Sequence, residues 1–239
     1  MTDTNEATNA SDHEEIRHHF EDQLDAIRHG AVQMGSLVLE NTKRVGDALV
    51  GSRLDMVEDV KRADDEINVM YTKLEGMAFE VLARQQPVAK DLRFLVAVTR
   101  ILYELERSGD LAVNCAKAMD RAAGFTLSSS VTAQLERLVH ESARVFAGGI
   151  DALADMDSTA GSRLDQEDDV VDDVCSEFYS MIARDSDAIG LAAAIELSRI
   201  GRYLERIADH AVNVAENVTY VVTGHWPHLE NPDFEDRNE

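Results

Sequence analysis

The stretch LERSGDLAVNCA, Leu105–Ala116, returns 99 residues later as LERIADHAVNVA, Leu204–Ala215, with eight of twelve positions unchanged. The second copy lies in a pattern where Leu197, Ile200, Leu204, Ile207, Ala211, Val214, Val218 and Val221 recur in steps of three and four. Val98, Ile101, Leu105, Ser108, Ala112, Cys115 and Met119 keep the same phase around the first copy. That spacing lines the residues along one stripe of an α-helix. A seam this narrow suits packing in a helical bundle.

The repetition extends beyond one helix. DDEINVMYTKLEGM, Asp64–Met77, aligns with DDVVDDVCSEFYSM, Asp168–Met181, at an offset of 104, so the first copy carries five additional residues before its motif. We place them in the connection around RQQPVAKDLR. Only three prolines occur, and no segment alternates like a strand. The expected fold is therefore all-α: two tandem three-helix bundles related by internal duplication, over residues 14–122 and 126–224. Acidic tails over 1–13, expected to be disordered, and 225–239 flank them. Gly124 and the serines after it supply the break and an N-cap, and Gly224 ends the last helix.

The net charge of −23, from 46 acidic and 23 basic residues, excludes whole classes of partner. Nucleic acids and anionic lipids are bound mainly through Lys and Arg, so neither is expected to bind. No apolar run is long enough to span a membrane, and the acidic N-terminus is unlike a signal peptide, which points to the cytoplasm. Abundant Asp and Glu with few lysines and aromatics resemble proteins of salt-in halophiles. Two cysteines cannot make a disulfide framework, and both are expected in the core.

With Leu105 at heptad position a, Glu106, Asp110 and Asn114 lie opposite the seam, as do Glu205, Asp209 and Asn213 in the second copy. The plain alternative is a solvated outer face. Against it, these residue types persist between halves while Ser108/Ile207 and Leu111/His210 differ, and Asn persists in an acidic chain. Acids four apart on a helix also repel by a few tenths of a kcal/mol (about 0.2–0.5), a cost a cation removes. Oxygen donors suit Mg²⁺, Mn²⁺, Ca²⁺ or iron. A second helix offers Asp64, Asp65 or Asn68 in one half and Asp168, Asp169 or Asp172 in the other, at its flank or outside. The candidate metal ligands are Glu106, Asp110, Glu205 and Asp209, with Asn114, Asn213, Asp64 and Asp168 as further donors. Arg107 and Arg206 either pair with the acid three residues on or meet an anion.

On these residues the chain resembles the PhoU family. The duplicated Glu-Arg-x-x-Asp helices carry the likeness, with VLARQQPVAKDLRFLVAVTRI, Val81–Ile101, and VQMGSLV, Val32–Val38. The resemblance implies two three-helix bundles, each with a carboxylate metal site at Glu106/Asp110 or Glu205/Asp209. It implies a non-enzymatic, negative regulator of the phosphate-specific ABC transporter and of phosphate-responsive signalling. The implied partners are the transporter ATPase and a phosphate-signalling protein, a membrane sensor kinase in bacterial members. We also expect a homodimer. The alternatives are a helical adaptor without a functional metal site and a ferritin-like di-iron bundle. The latter needs two Glu-x-x-His motifs in the core, and only Glu15–His18 has that spacing.

Overall fold

In a computed structural model, residues 3–226 are described, with side chains from Arg17 onward. The described residues hold seven α-helices and one 3₁₀ turn, and no strand. Helices α1 (Asp3–Val50), α2 (Val57–Gln85) and α3 (Ala89–Arg121) form the first bundle. Helices α4 (Ser129–Asp155), α5 (Ala160–Arg184) and α7 (Leu191–Thr223) form the second, with a four-residue α6 (Ser186–Ile189) between α5 and α7. The backbone of α1 begins within the segment expected to be an acidic tail. Beyond Trp226 the expected C-terminal tail lies outside the described residues.

Helix ends follow local chemistry. The Ser128 hydroxyl accepts from the Val131 N–H at 3.4 Å and caps α4. Gly224, at φ +80°, closes α7 with its N–H on the Tyr220 carbonyl at 2.8 Å. The five additional residues of the first copy prolong a helix and do not form the expected loop: α5 ends at Arg184, whose equivalent is Glu80, while α2 runs on to Gln85. Only Gln86–Val88 then separate α2 from α3.

Every seam residue of the two motif helices is buried. The expected narrow seam is nevertheless too small a description. Leu95, Ala97, Leu102, Gly109, Leu111, Val113, Ala116 and Ala118 are buried on α3 as well. The reason is topological: α3 packs on α1 and α2 within its bundle and on α7 across the junction, while α1 packs on α4. The bundles lie side by side with α3 and α7 at the centre, and one apolar cluster runs through both. Gly149 shows how close the approach is, because a Cβ there would stand 2.9 Å from the Ala211 carbonyl oxygen of α7.

Candidate functional site

Because α3 is covered on several sides, its polar stripe does not face open solvent. Glu106, Asp110 and Asn114 are half-buried, as are Glu205, Asp209 and Asn213. Asp64, expected at the flank or outside of α2, is only 7% exposed. Its carboxylate rests on Gly109, where a Cβ would stand 2.6 Å from Asp64 Oδ1. The glycine inside the motif thus makes room for an acid from the neighbouring helix.

The first cluster joins Asp64 of α2 to Glu106 and Asp110 of α3. Burial, then the Asp110 charge, pushes the Asp64 carboxyl up to about 6. Burial and the Asp110 charge, with a smaller contribution from Asp64, raise Glu106. Asn68 Nδ2 donates to Asp64 Oδ2 at 3.1 Å, but Asp64 Oδ1 is buried with no hydrogen-bond partner. Asp65 is exposed.

The second cluster repeats this between α5 and α7. Burial, then the Asp209 charge and those of Asp172, Asp165 and Glu205, pushes Asp168 up to about 7. Asp209 and Asp172 are raised by burial first and by Glu205 among their neighbours. Asp168 Oδ1 is again buried without a partner. Ala208 replaces Gly109 here, and Asp168 is correspondingly less buried than Asp64. This half is also partly neutralised: Arg202 pairs with Glu205, and Cys175 Sγ donates to Glu205 Oε2 at 3.5 Å. Both cysteines are free and buried, as expected.

In each half Glu, Asp and the α2 or α5 aspartate therefore lie within range of one another's charge. The structure does not bring in Asn213, which stands beside Glu104 of the other bundle, and Asn114 makes no side-chain hydrogen bond among the described residues. Among the described residues no three His, Cys, Asp or Glu side chains are drawn into a single metal-holding group. The donors are nonetheless all oxygens, mutually repelling, and each cluster holds one orphaned buried carboxylate oxygen. A hard cation matches that chemistry.

Sequence reasoning missed the polar contact between the bundles. Ser108 Oγ lies 3.0 Å from His210 Nδ1, and His210 Nε2 lies 3.7 Å from Glu104 Oε2. Burial, then Arg206 and Arg107, pushes His210 down to about 4, so the ring is neutral. The signal was present in the two positions where the copies differ most, Ser108/Ile207 and Leu111/His210. Arg107 pairs loosely with Asp110, at 3.7 Å.

Comparison with known proteins gives a consistent result. The PhoU domain matches twice, over residues 31–119 and 135–218. A phosphate-specific transport system accessory protein PhoU homolog from Deinococcus radiodurans is 32% identical over 218 residues, covering 87% of this chain and 99% of its own. Its counterpart from Synechocystis sp. is 31% identical over 209 residues, covering 87% and 93%. The crystal structure of PhoU from Pseudomonas aeruginosa superposes with a TM-score of 0.80 at 26% identity, covering 86% of this chain and all of that one.

Proposed function

The chain belongs to the PhoU family, and on that premise we propose that it is a non-enzymatic accessory regulator of phosphate-specific transport. It acts negatively on the transporter and on phosphate-responsive signalling, from the cytoplasm. Its relatives' names support the transport role, and their similarity runs through both repeats. No helix among the described residues is long and apolar enough to cross a membrane, so contact with the transporter is through protein surface. The partners are the transporter ATPase and a phosphate-signalling protein, and the chain acts as a homodimer.

A divalent or trivalent cation, Mg²⁺, Mn²⁺, Ca²⁺ or iron, occupies each carboxylate cluster in this reading. The observation that carries it is the pair of buried oxygens, Asp64 Oδ1 and Asp168 Oδ1, placed against further carboxylates at matching positions of both repeats. The competing reading is a helical adaptor without metal, favoured by the lack of a ready-made three-ligand group among the described residues. Elemental analysis of native protein and of a Glu106→Ala, Glu205→Ala double variant separates the two. Metal in the native protein and its loss in the variant support the cation sites, and metal-free native protein supports the adaptor. For regulation, a deletion strain is followed for phosphate uptake at high external phosphate. Uptake that rises without the gene supports the proposal, and uptake that stays repressed sinks it.

A further inference from the structure

A cleft of about 490 Å³ opens between α2, α3 and the end of α7. None of the clustered carboxylates lines it, though Asn213 does, and its walls are aromatic. Phe79 and Tyr103 are 53% and 52% exposed, conspicuous in a chain with one tryptophan, five tyrosines and seven phenylalanines. Tyr71 and Trp226 complete the walls. The Trp226 ring stacks on Tyr220 with centroids 4.3 Å apart, which holds it at the rim.

The floor and sides are acidic. Glu75, Glu104 and Glu216 line the cleft against one cation, Arg100, which is engaged over the Trp226 ring at 5.0 Å. Glu75 accepts from the Tyr71 hydroxyl at 2.6 Å, which fixes both groups along one wall. At the base Asn217 is 6% exposed; its Nδ2 donates to the Asn213 carbonyl, and its Oδ1 accepts nothing. Aromatic faces, carboxylates and an unused acceptor together suit a planar cation with several donors.

The repeat supplies an internal control. The positions equivalent to Phe79 and Tyr103 in the second bundle are Ala183 and Arg202. That half has lost one aromatic wall and placed a cation where the other stood, so each chain offers one such cleft. Residues 227–239, which follow Trp226 in the sequence, contain five acids and one arginine. Like charge disfavours that segment as the occupant.

We propose that the cleft between Phe79, Tyr103 and Trp226 docks an arginine side chain presented by an apolar segment of a partner protein. The guanidinium lies between Phe79 and Tyr103, since the Trp226 ring already carries Tyr220 on one side and Arg100 over it, with Glu75 and Glu104 as its counter-charges. The partner's flanking apolar residues cover exposed Val96 beside the cleft on α3. This deepens the regulatory reading by naming the chemistry of a partner contact, and the two fail separately: phosphate uptake tests regulation, and the experiment below reads only the cleft.

Trp226 is the only tryptophan, so its fluorescence reports the site directly in the full chain. The probes are a capped pentapeptide with one central arginine flanked by alanine and leucine, its citrulline isostere, and arginine amide. The expected result is a saturable change with the arginine peptide and binding about tenfold weaker with citrulline or with arginine amide. Phe79→Ala, which leaves the charge unchanged, and Tyr103→Arg, which copies the second bundle, should each weaken the peptide about tenfold or more. Both residues are exposed, so the variants should keep the far-ultraviolet dichroism of the parent. No saturable change, equal affinity for arginine and citrulline peptides, or full affinity in Phe79→Ala overturns the proposal. Equal affinity for arginine amide and peptide overturns the partner segment in favour of a small cationic ligand.

Discussion

Replacing Asp64 by Asn should stabilise the metal-free protein at neutral and alkaline pH and leave it nearly unchanged in acid. The carboxyl is raised from 3.8 to about 6, with burial as the leading cause and the Asp110 charge next. A raised folded-state value means the native chain holds this proton more tightly than the unfolded chain. The favourable contribution is therefore complete below about pH 3.8 and is lost as pH rises through about 6. Roughly two pKa units correspond to about 3 kcal/mol, and with Asp64 only 7% exposed solvent screening removes little of it. Asn keeps an oxygen to accept from Asn68, so the gain at pH 8 should approach about 1–3 kcal/mol. In a chain of this size that is about 2–4 °C in melting temperature per kcal/mol. Urea melts of parent and variant at pH 4 and pH 8, with chelator present, check it. Because burial leads, most of the gain should persist in molar KCl, where charge repulsion is screened. Adding Mg²⁺ or Mn²⁺ should reverse the order, stabilising the parent and not the variant. A gain of equal size at both pH values, or none at pH 8, would refute the reasoning.

Three further outcomes follow from the same geometry. His210, lowered from 6.5 to about 4, takes up its proton in the unfolded chain first, so stability should fall by about 3 kcal/mol as pH drops through that window. His210→Leu, which copies Leu111 of the first repeat, should flatten that part of the pH profile in denaturant melts. Glu196 of α7 is bonded by Arg121 of α3 and by Arg199, both at 2.7 Å, so Glu196→Ala should cost about 1–2 kcal/mol, well below a fully buried pair because both arginines are about half exposed. Gly149→Ala should lose about 1–2 kcal/mol by the same assay, since the strain against the Ala211 backbone exceeds the gain of about 1 kcal/mol in helix propensity.

How much was legible in the sequence depends on the kind of order involved. Periodicity reports a helix and its principal buried stripe, so the seam of α3 and α7 and the three-helix repeat were open to inspection. Duplication added what periodicity lacks, because Glu106/Glu205 and Asp110/Asp209 stand out only when two copies are compared. Burial of Asp64 was not legible, since it depends on α2 crossing α3 at Gly109, and heptad phase says nothing about a second neighbour. The same limit hid Asn213, which lies in phase with Asp209 yet turns to Glu104 on the adjoining bundle. The extra turn of α2 was misplaced in a loop because Pro87 marks a helix end without saying how far the preceding helix runs.

The broad contact of α3 with α7, and of α1 with α4, bears on how such a protein could have arisen. A chain carrying one repeat alone would leave the inner side of its third helix wet, with Leu111 or its equivalent facing water. A second copy would be the nearest cover, so the single-repeat form is most readily pictured as a self-associating pair. Fusion end to end replaces a concentration-dependent encounter with a tethered one. It also frees the two halves to diverge: identical halves would have had to carry the Ser108–His210 contact twice, whereas here the positions equivalent to that pair, Leu111 and Ile207, are apolar.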